Sequence, residues 1–251
     1  MSLKISILTP SYNQGKYLEE NILSVLNQNY NNFEHIIVDG GSTDNTLNIL
    51  KKYKHLKWIS EHDKGQADAL NKGLKLATGN IIGWINSDDY YLPNVFHEVE
   101  KVFNDNDVEW LVSNIIAQYA DSNNYIPIED ISYTKLIKNP DIVKQPGAFY
   151  RNSIVKKVNF FNDDLLMTMD YDLWLKISKI ANPYKLNSYT AVFRHHENQK
   201  TNNKNIIRQY KEIKKVLKNE NVSKYRLYQI AYKKYKSYYK NLFKALLKNY
   251  K

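Results

Sequence analysis

Two adjacent carboxylates, Asp88 and Asp89, close a short apolar run and stand beside Asn86 and Ser87. Two such charges at the floor of a cleft repel each other unless a cation lies between or beside them. A hard divalent ion with oxygen ligands, Mg2+ or Mn2+, relieves that repulsion and bridges to a ligand diphosphate. The competing reading is a solvated turn, because Asp and Ser favour turns. The first strand is followed by no Gly-x-Gly-x-x-Gly, and the chain has no Gly-Lys-Ser/Thr loop. The usual glycine cradles for dinucleotides and ATP are therefore missing, and a metal is the better candidate to neutralise phosphate. The chain has no cysteine, which excludes disulfides, thiolate metal sites and cysteine nucleophiles.

The elements that must carry these groups alternate between strand and helix. Ile5–Leu8, His35–Val38, Leu56–Ser60 and Ile81–Ile85 are apolar, β-favouring runs. Between them, Leu18, Ile22, Val25 and Leu26 form a helical stripe, Asp44 is placed to cap a helix carrying Leu47, Ile49 and Leu50, and Ala67–Ala77 reads as a helix. Such alternation predicts an α/β fold with a mainly parallel, Rossmann-like sheet flanked by helices. Ligands of these sheets bind at the carboxyl ends of the strands. Here those ends carry Thr9–Asn13, Asp39–Ser42, Glu61–Asp63 and Asn86–Asp89, so polar and acidic groups converge on one rim. Further on, Trp110–Tyr119 reads as a strand, Gln145–Tyr150 as a turn into another, Asp170–Ile180 as a helix, and Ala191–His195 as strand-like.

The 251 residues suffice for one large domain or two small ones, and 43% apolar with 25% charged residues is an ordinary globular balance. The net charge of +10 is unevenly placed. From Arg208 onward lie fourteen of the 36 basic residues but two of the 26 acidic ones, a net +12, which leaves −2 for the rest. In this tail Tyr225, Tyr228, Tyr232, Tyr235, Tyr239, Leu242 and Leu246 recur at spacings of three and four, with lysines on the other faces. A basic, tyrosine-rich amphipathic helix fits an anionic membrane surface, a packing seam on the preceding domain, or pairing with a second chain as a homodimer. No run of about 18 apolar residues is present, and Met1-Ser2-Leu3-Lys4 has no apolar signal core. The reading is cytoplasmic, with peripheral placement on the inner face of the membrane open.

Five segments in order resemble the inverting family 2 glycosyltransferases. They are Thr9-Pro-Ser-Tyr-Asn13, Ile36-Ile-Val-Asp-Gly-Gly-Ser-Thr-Asp44, Gly65-Gln-Ala-Asp-Ala-Leu-Asn71 with Gly73, Asn86-Ser-Asp-Asp89 and Met169-Asp-Tyr-Asp-Leu-Trp174. The resemblance implies a GT-A domain over 1–203 and a nucleoside-diphosphate sugar, UDP-linked, as donor; the helical tail, 204–251, lies outside it. Cell-surface polysaccharide synthesis, with a glycan or lipid-linked acceptor, follows from the same likeness. It further implies that Thr9, Pro10, Tyr12, Asp39, Asp68, Asn71, Asn86, Ser87 and Asp88 hold the donor, and that Asp88, Asp89 and His196 surround the metal. Three positions depart from the common pattern: Leu70 stands where many members have arginine, Asn86 replaces an acid, and Met169 replaces the first acid of the pair that includes the base.

By the same likeness Asp170 is the base that takes a proton from the acceptor hydroxyl, in partly apolar surroundings that raise its pKa. A helix-capping role is its rival, and Asp172, two residues along a helix, points elsewhere and reads as structural. Gln145 and Trp174 fall on the acceptor side, although Gln145-Pro146-Gly147 also reads as a plain turn. His195 competes with His196 for the metal position. Two other classes fit parts of the chain: a sugar-nucleotide-binding module without activity, suggested by Asn86 and Met169, and a nucleic-acid-binding protein working through the tail. The acidic rim and the lack of a recognised motif argue against nucleic acid.

Overall fold

The computed structural model describes residues 2–104, 107–200 and 205–220, and beyond them 222, 223, 226, 227, 229, 230, 232 and 236. Nine strands form one sheet: β1 (Ile5–Ser11), β2 (Phe33–Asp39), β3 (Lys57–Ser60), β4 (Ile81–Trp84), β5 (Tyr90–Tyr91), β6 (Trp110–Gln118), β7 (Asn123–Ile126), β8 (Ala148–Arg151) and β9 (Tyr184–Arg194). Their order is β3-β2-β1-β4-β8-β6-β9-β5, with β7 added to β6. The first four strands pair in parallel, and so do β6 and β9, whereas β8, β7 and β5 are antiparallel to their neighbours.

Helices α1 (Gly15–Leu26), α2 (Thr46–Lys52), α3 (Gln66–Leu76) and α4 (Val95–Asn104) alternate with the early strands, followed by α5 (Tyr133–Lys138), α6 (Asn152–Lys157), α7 (Met169–Ser178) and α8 (Ile206–Lys218). All of β1 and β4 is buried, which is why these strands are continuous apolar runs and not alternating ones. One core layer joins Leu8, Ile36 and Trp84 to Leu70 and Leu74 of α3 and Leu173 and Ile177 of α7. The opposite layer joins Ile5, Ile7 and Ile85 to Val25 of α1 and Phe96 and Val99 of α4. The helix α3 starts at the back of the cleft because Gly65 turns the chain with φ +123°, a conformation open to glycine.

Two local expectations gain detail. The residue flanking α2 is Asn45, whose side chain makes no capping bond. Asp44 serves that helix start as expected, accepting from the backbone N–H of Thr46 (3.0 Å), and also accepts from Gly15 (2.9 Å), so one carboxylate serves the starts of two helices. Of the run at Ala191–His195, Ala191 to Arg194 are the end of an eleven-residue strand, β9, and His195 lies just past it.

The composition shift near residue 204 does not coincide with a break in the core. Ile213, Val216 and Leu217 of α8, and Ile230 beyond it, are buried in the same layer as α7. Of the seven residues in the tail stripe only Tyr232 is among those described, and it is 66% exposed. The other six lie outside the described residues.

Candidate active site

A cleft of roughly 1380 Å3 opens at the carboxyl ends of β1, β4, β6 and β9, where a sheet of this kind binds its ligands. One wall is Pro10, Ser11 and Tyr12 with Asp63, Gly65 and Gln66; the centre holds Asn86, Ser87, Asp88 and His196; the far wall includes Ile115, Tyr119 and Phe193, with Gln145 and Asp170 beside it.

The turn after β4 is fixed from behind. Asn21 of α1 donates through Nδ2 to the carbonyls of Asn86 (2.9 Å) and Asp89 (2.8 Å). Asn86 Oδ1 accepts from Gln66 Nε2 (2.6 Å) and Trp84 Nε1 (3.0 Å), so a neutral amide already uses both donors offered to it. Asp88 and Asp89 then diverge. Asp88 faces the cleft, with Oδ2 2.9 Å from His196 Nε2. Asp89 is 1% exposed, and its Oδ1 accepts the Arg194 N–H at 2.9 Å. Burial, then the charge of Asp88, holds the Asp89 carboxyl well above the ordinary value. The pair therefore does not act as one unit: Asp89 supports the floor and Asp88 faces the cleft beside His196.

His196 takes the position beside Asp88, its ring packed 4.7 Å from that of Tyr17. Its Nδ1 is buried with no hydrogen-bond partner among the described residues. His195 turns the other way and stacks on Tyr119. Among the described residues no three His, Asp or Glu side chains form a metal cage. A carboxylate and an imidazole would suit a divalent ion that takes its remaining ligands from substrate and water.

Asp170 lies in the first turn of α7 and borders the cleft. Burial pushes its carboxyl up to about 6, against the Tyr171 N–H it accepts at 2.8 Å; Asp141 adds to the rise and Lys200 opposes it. Because the Tyr171 N–H belongs to the first turn of α7, the Asp170 carboxylate also serves the helix start, which the flanking Thr168 side chain does not. The turn before α7 is held by Glu212 of α8, whose Oε2 accepts from the Met167 N–H (2.7 Å) and Thr168 Oγ1 (3.3 Å). Asp172 pairs with Lys176 at 2.6 Å, the structural role expected of it. Trp174 is 2% exposed, donates to the Tyr150 hydroxyl at 2.7 Å, and borders a side cavity of roughly 110 Å3 that also touches Asp170.

Four residues expected on the donor, Thr9, Asp39, Asp68 and Asn71, do not line the cleft and bond to other parts of the chain. Asp39 is fully buried and accepts from the Gly41 and Ser42 N–H groups, from Ser42 Oγ, and from Ser60 Oγ at 2.6 Å. Thr9 Oγ1 sits 2.9 Å from His35 Nε2. Asn71 clamps the backbone of Phe161 through both ends of its amide (2.9 and 3.0 Å). Asp68 accepts the Lys64 N–H and pairs with Lys72 at 3.5 Å. The wall is built instead by Asp63, whose carboxyl burial raises above its ordinary value. Its Oδ2 lies 2.7 Å from where a Cβ on Gly40 would stand, so a side chain there would push the carboxylate aside. Asp63 was one of the acidic strand-end residues, which was its signal; Gln66, Tyr119 and Lys200 had none as cleft residues.

Comparison with known proteins identifies the family and the fold. The model of the family described as glycosyl transferase family 2 matches residues 6–160. The chain is 29% identical over 211 residues to an uncharacterized glycosyltransferase of Rickettsia typhi, covering 79% of this chain and 66% of that protein. An Escherichia coli protein named UDP-Glc:alpha-D-GlcNAc-diphosphoundecaprenol beta-1,3-glucosyltransferase WfgD is 29% identical over 216 residues, 84% of this chain and 83% of the other. Among solved structures, TarS 1-349 of S. aureus in complex with UDP-GlcNAc superposes with a TM-score of 0.70 at 20% identity, over 91% of this chain and 70% of that one. The mannosyltransferase PcManGT of Pyrobaculum calidifontis, in complex with GDP-Man and Mn2+, gives 0.66 at 17% identity, over 92% and 68%. These likenesses establish the GT-A fold expected from the five segments.

Proposed function

The chain belongs to glycosyl transferase family 2, and from that premise we propose an inverting transfer of a sugar from a UDP-linked donor to a hydroxyl of a lipid-linked glycan. The reading rests on one arrangement: a carboxyl held near 6, Asp170, borders the same cleft as the Asp88–His196 pair. The UDP-GlcNAc bound by TarS and the lipid diphosphate in the name of the E. coli relative support the donor and acceptor classes. Surface-polysaccharide synthesis is the setting that follows.

In this reading the exposed Tyr12 ring and Pro10 bracket the nucleobase, and Asp63, Asn86 and Ser87 accept or donate along the nucleoside. Asp88 and His196 would hold Mn2+ or Mg2+, which when bound supplies positive charge for the departing diphosphate. Asp170 takes the proton of the acceptor hydroxyl as that oxygen attacks the anomeric carbon; one displacement inverts the centre and no covalent intermediate forms. Gln145, which donates to the Trp84 carbonyl at 2.6 Å, and the Trp174 side cavity border the acceptor approach. No helix among the described residues is long and apolar enough to cross a membrane. The net +12 from Arg208 onward suits contact with anionic lipid at a cytoplasmic membrane face, where a lipid-linked acceptor resides.

The test is thermal-shift and calorimetric binding of a sugar-nucleotide panel with and without Mn2+. The proposal expects a UDP-sugar to bind and to be slowly hydrolysed. If no sugar nucleotide binds, this reading fails; if one binds without hydrolysis or transfer to any glycan acceptor, the inactive-module reading replaces it.

A further inference from the structure

The wall of the cleft opposite Tyr12 carries an arrangement that the reaction above does not use. Tyr119, just past β6, and His195, just past β9, are neighbours on the parallel pair that registers Gln118 against Arg194. Their rings stack with centroids 4.1 Å apart and 6° between planes. Phe193 meets His195 edge-on at 4.8 Å and 84°, bracing the stack from the side. The backbone beneath is equally fixed: the His195 N–H donates to the Gln118 carbonyl at 2.8 Å, and the Tyr119 N–H to that of Ser122 at 2.8 Å. Although one face of its ring is covered, Tyr119 remains 41% exposed, and both rings border the cleft.

A rigid aromatic pair left open to water loses little conformational entropy when it binds. Its surroundings indicate the occupant. Apolar Ile126 and Phe193 adjoin it, but the exposed Glu197 and Asn198 interrupt the surface. An alkyl chain would need continuous apolar lining, whereas a pyranose ring offers a flat C–H face for the aromatic ring and a rim of hydroxyls for the polar groups. We propose that the Tyr119–His195 stack is an acceptor-side subsite that binds a pyranose ring of the glycan acceptor. This rests on the glycosyltransferase reading and names how its acceptor is held.

Saturation-transfer NMR tests it on the full chain, using UDP together with a set of methyl hexosides and methyl N-acetylhexosaminides as probes. The expected result is saturation of the ring protons of at least one glycoside by the unsubstituted protein and by Tyr119→Phe. With Tyr119→Ala the same glycoside binds about fivefold more weakly, while UDP signals stay equal in all three proteins. Equal UDP signals also show that each variant is folded. Unchanged glycoside binding in Tyr119→Ala overturns the proposal, as does UDP binding without any glycoside. A short-chain alkyl diphosphate that needs Tyr119 where the glycosides do not also overturns it, by making the occupant lipid. Loss of UDP binding by the unsubstituted protein is the separate failure of the donor reading.

Discussion

His196 Nε2 lies 2.9 Å from Asp88 Oδ2, joining positions 108 residues apart at the centre of the cleft. Neither group has a third protein ligand among the described residues, so a bound cation there depends on both. Asp88→Asn and His196→Ala are each expected to weaken Mn2+-dependent UDP binding by about 10- to 100-fold. Calorimetry with and without Mn2+ checks this, and equal loss in metal-free buffer would argue against the assignment.

Asp170→Asn should retain donor binding and lose transfer by about a thousandfold, which a radiolabelled transfer assay and a parallel UDP titration measure together. Transfer persisting at the original rate would remove Asp170 from the role of base.

The Asp170 carboxyl, held at about 6 against an ordinary 3.8, also sets two pH dependences. Only the ionised form accepts a proton, so kcat/KM should fall about tenfold per pH unit below 6. Stability runs the other way. A carboxyl raised on folding contributes stability below its unfolded value and loses it as pH rises through the folded one. Asp170→Asn should then be more stable than the parent at pH 7.5 by about 2–3 kcal/mol, the gap narrowing toward pH 4. Denaturant melts at the two pH values decide it.

Glu212 links the basic segment to the turn that presents Asp170. Glu212→Ala leaves the Met167 N–H without its acceptor, at a cost of about 1–3 kcal/mol. The expected kinetic signature is a kcat lowered about tenfold with UDP binding unchanged, because Glu212 does not border the cleft. A change confined to the donor Kd would contradict it.

Asn86→Asp places a third carboxylate beside Asp88 and the buried Asp89, whose Oδ2 is 3.4 Å from Asn86 Nδ2. Like charges in contact destabilise unless a cation offsets them. The variant should melt lower than the parent in chelator and regain most of the difference in Mn2+, as differential scanning fluorimetry would record.

Much of the fold was legible in the sequence, because fully buried strands such as β1 and β4 must be unbroken apolar runs and helices such as α1 must show a 3.6-residue stripe. Short elements with weaker periodicity, β5, β7, α5 and α6, left no such trace; their places are set by pairing and packing with distant segments. The rim of strand ends and the Asp88 turn were also readable from residue type, and the family resemblance pointed to Asp170, which borders the cleft.

What the sequence could not assign was direction. Adjacent letters make Asp88 and Asp89 look equivalent, yet one borders the cleft and the other is buried against Arg194. His195 and His196 likewise part, one to Tyr119 and one to Asp88. Asp39 and Asn71 have the right type and place in the chain, but the polar atoms of Asp39 bond to Ser42 and those of Asn71 to the Phe161 backbone, and neither residue lines the cleft. The charge map shows the same limit: composition separates a basic segment from the rest, while the apolar face of α8 returns it to the common core. Sequence alone fixed which chemistries the chain can offer. Only the tertiary contacts decided which side chains reach the cleft, because each buried polar group goes to whichever partner the packing places within hydrogen-bond range.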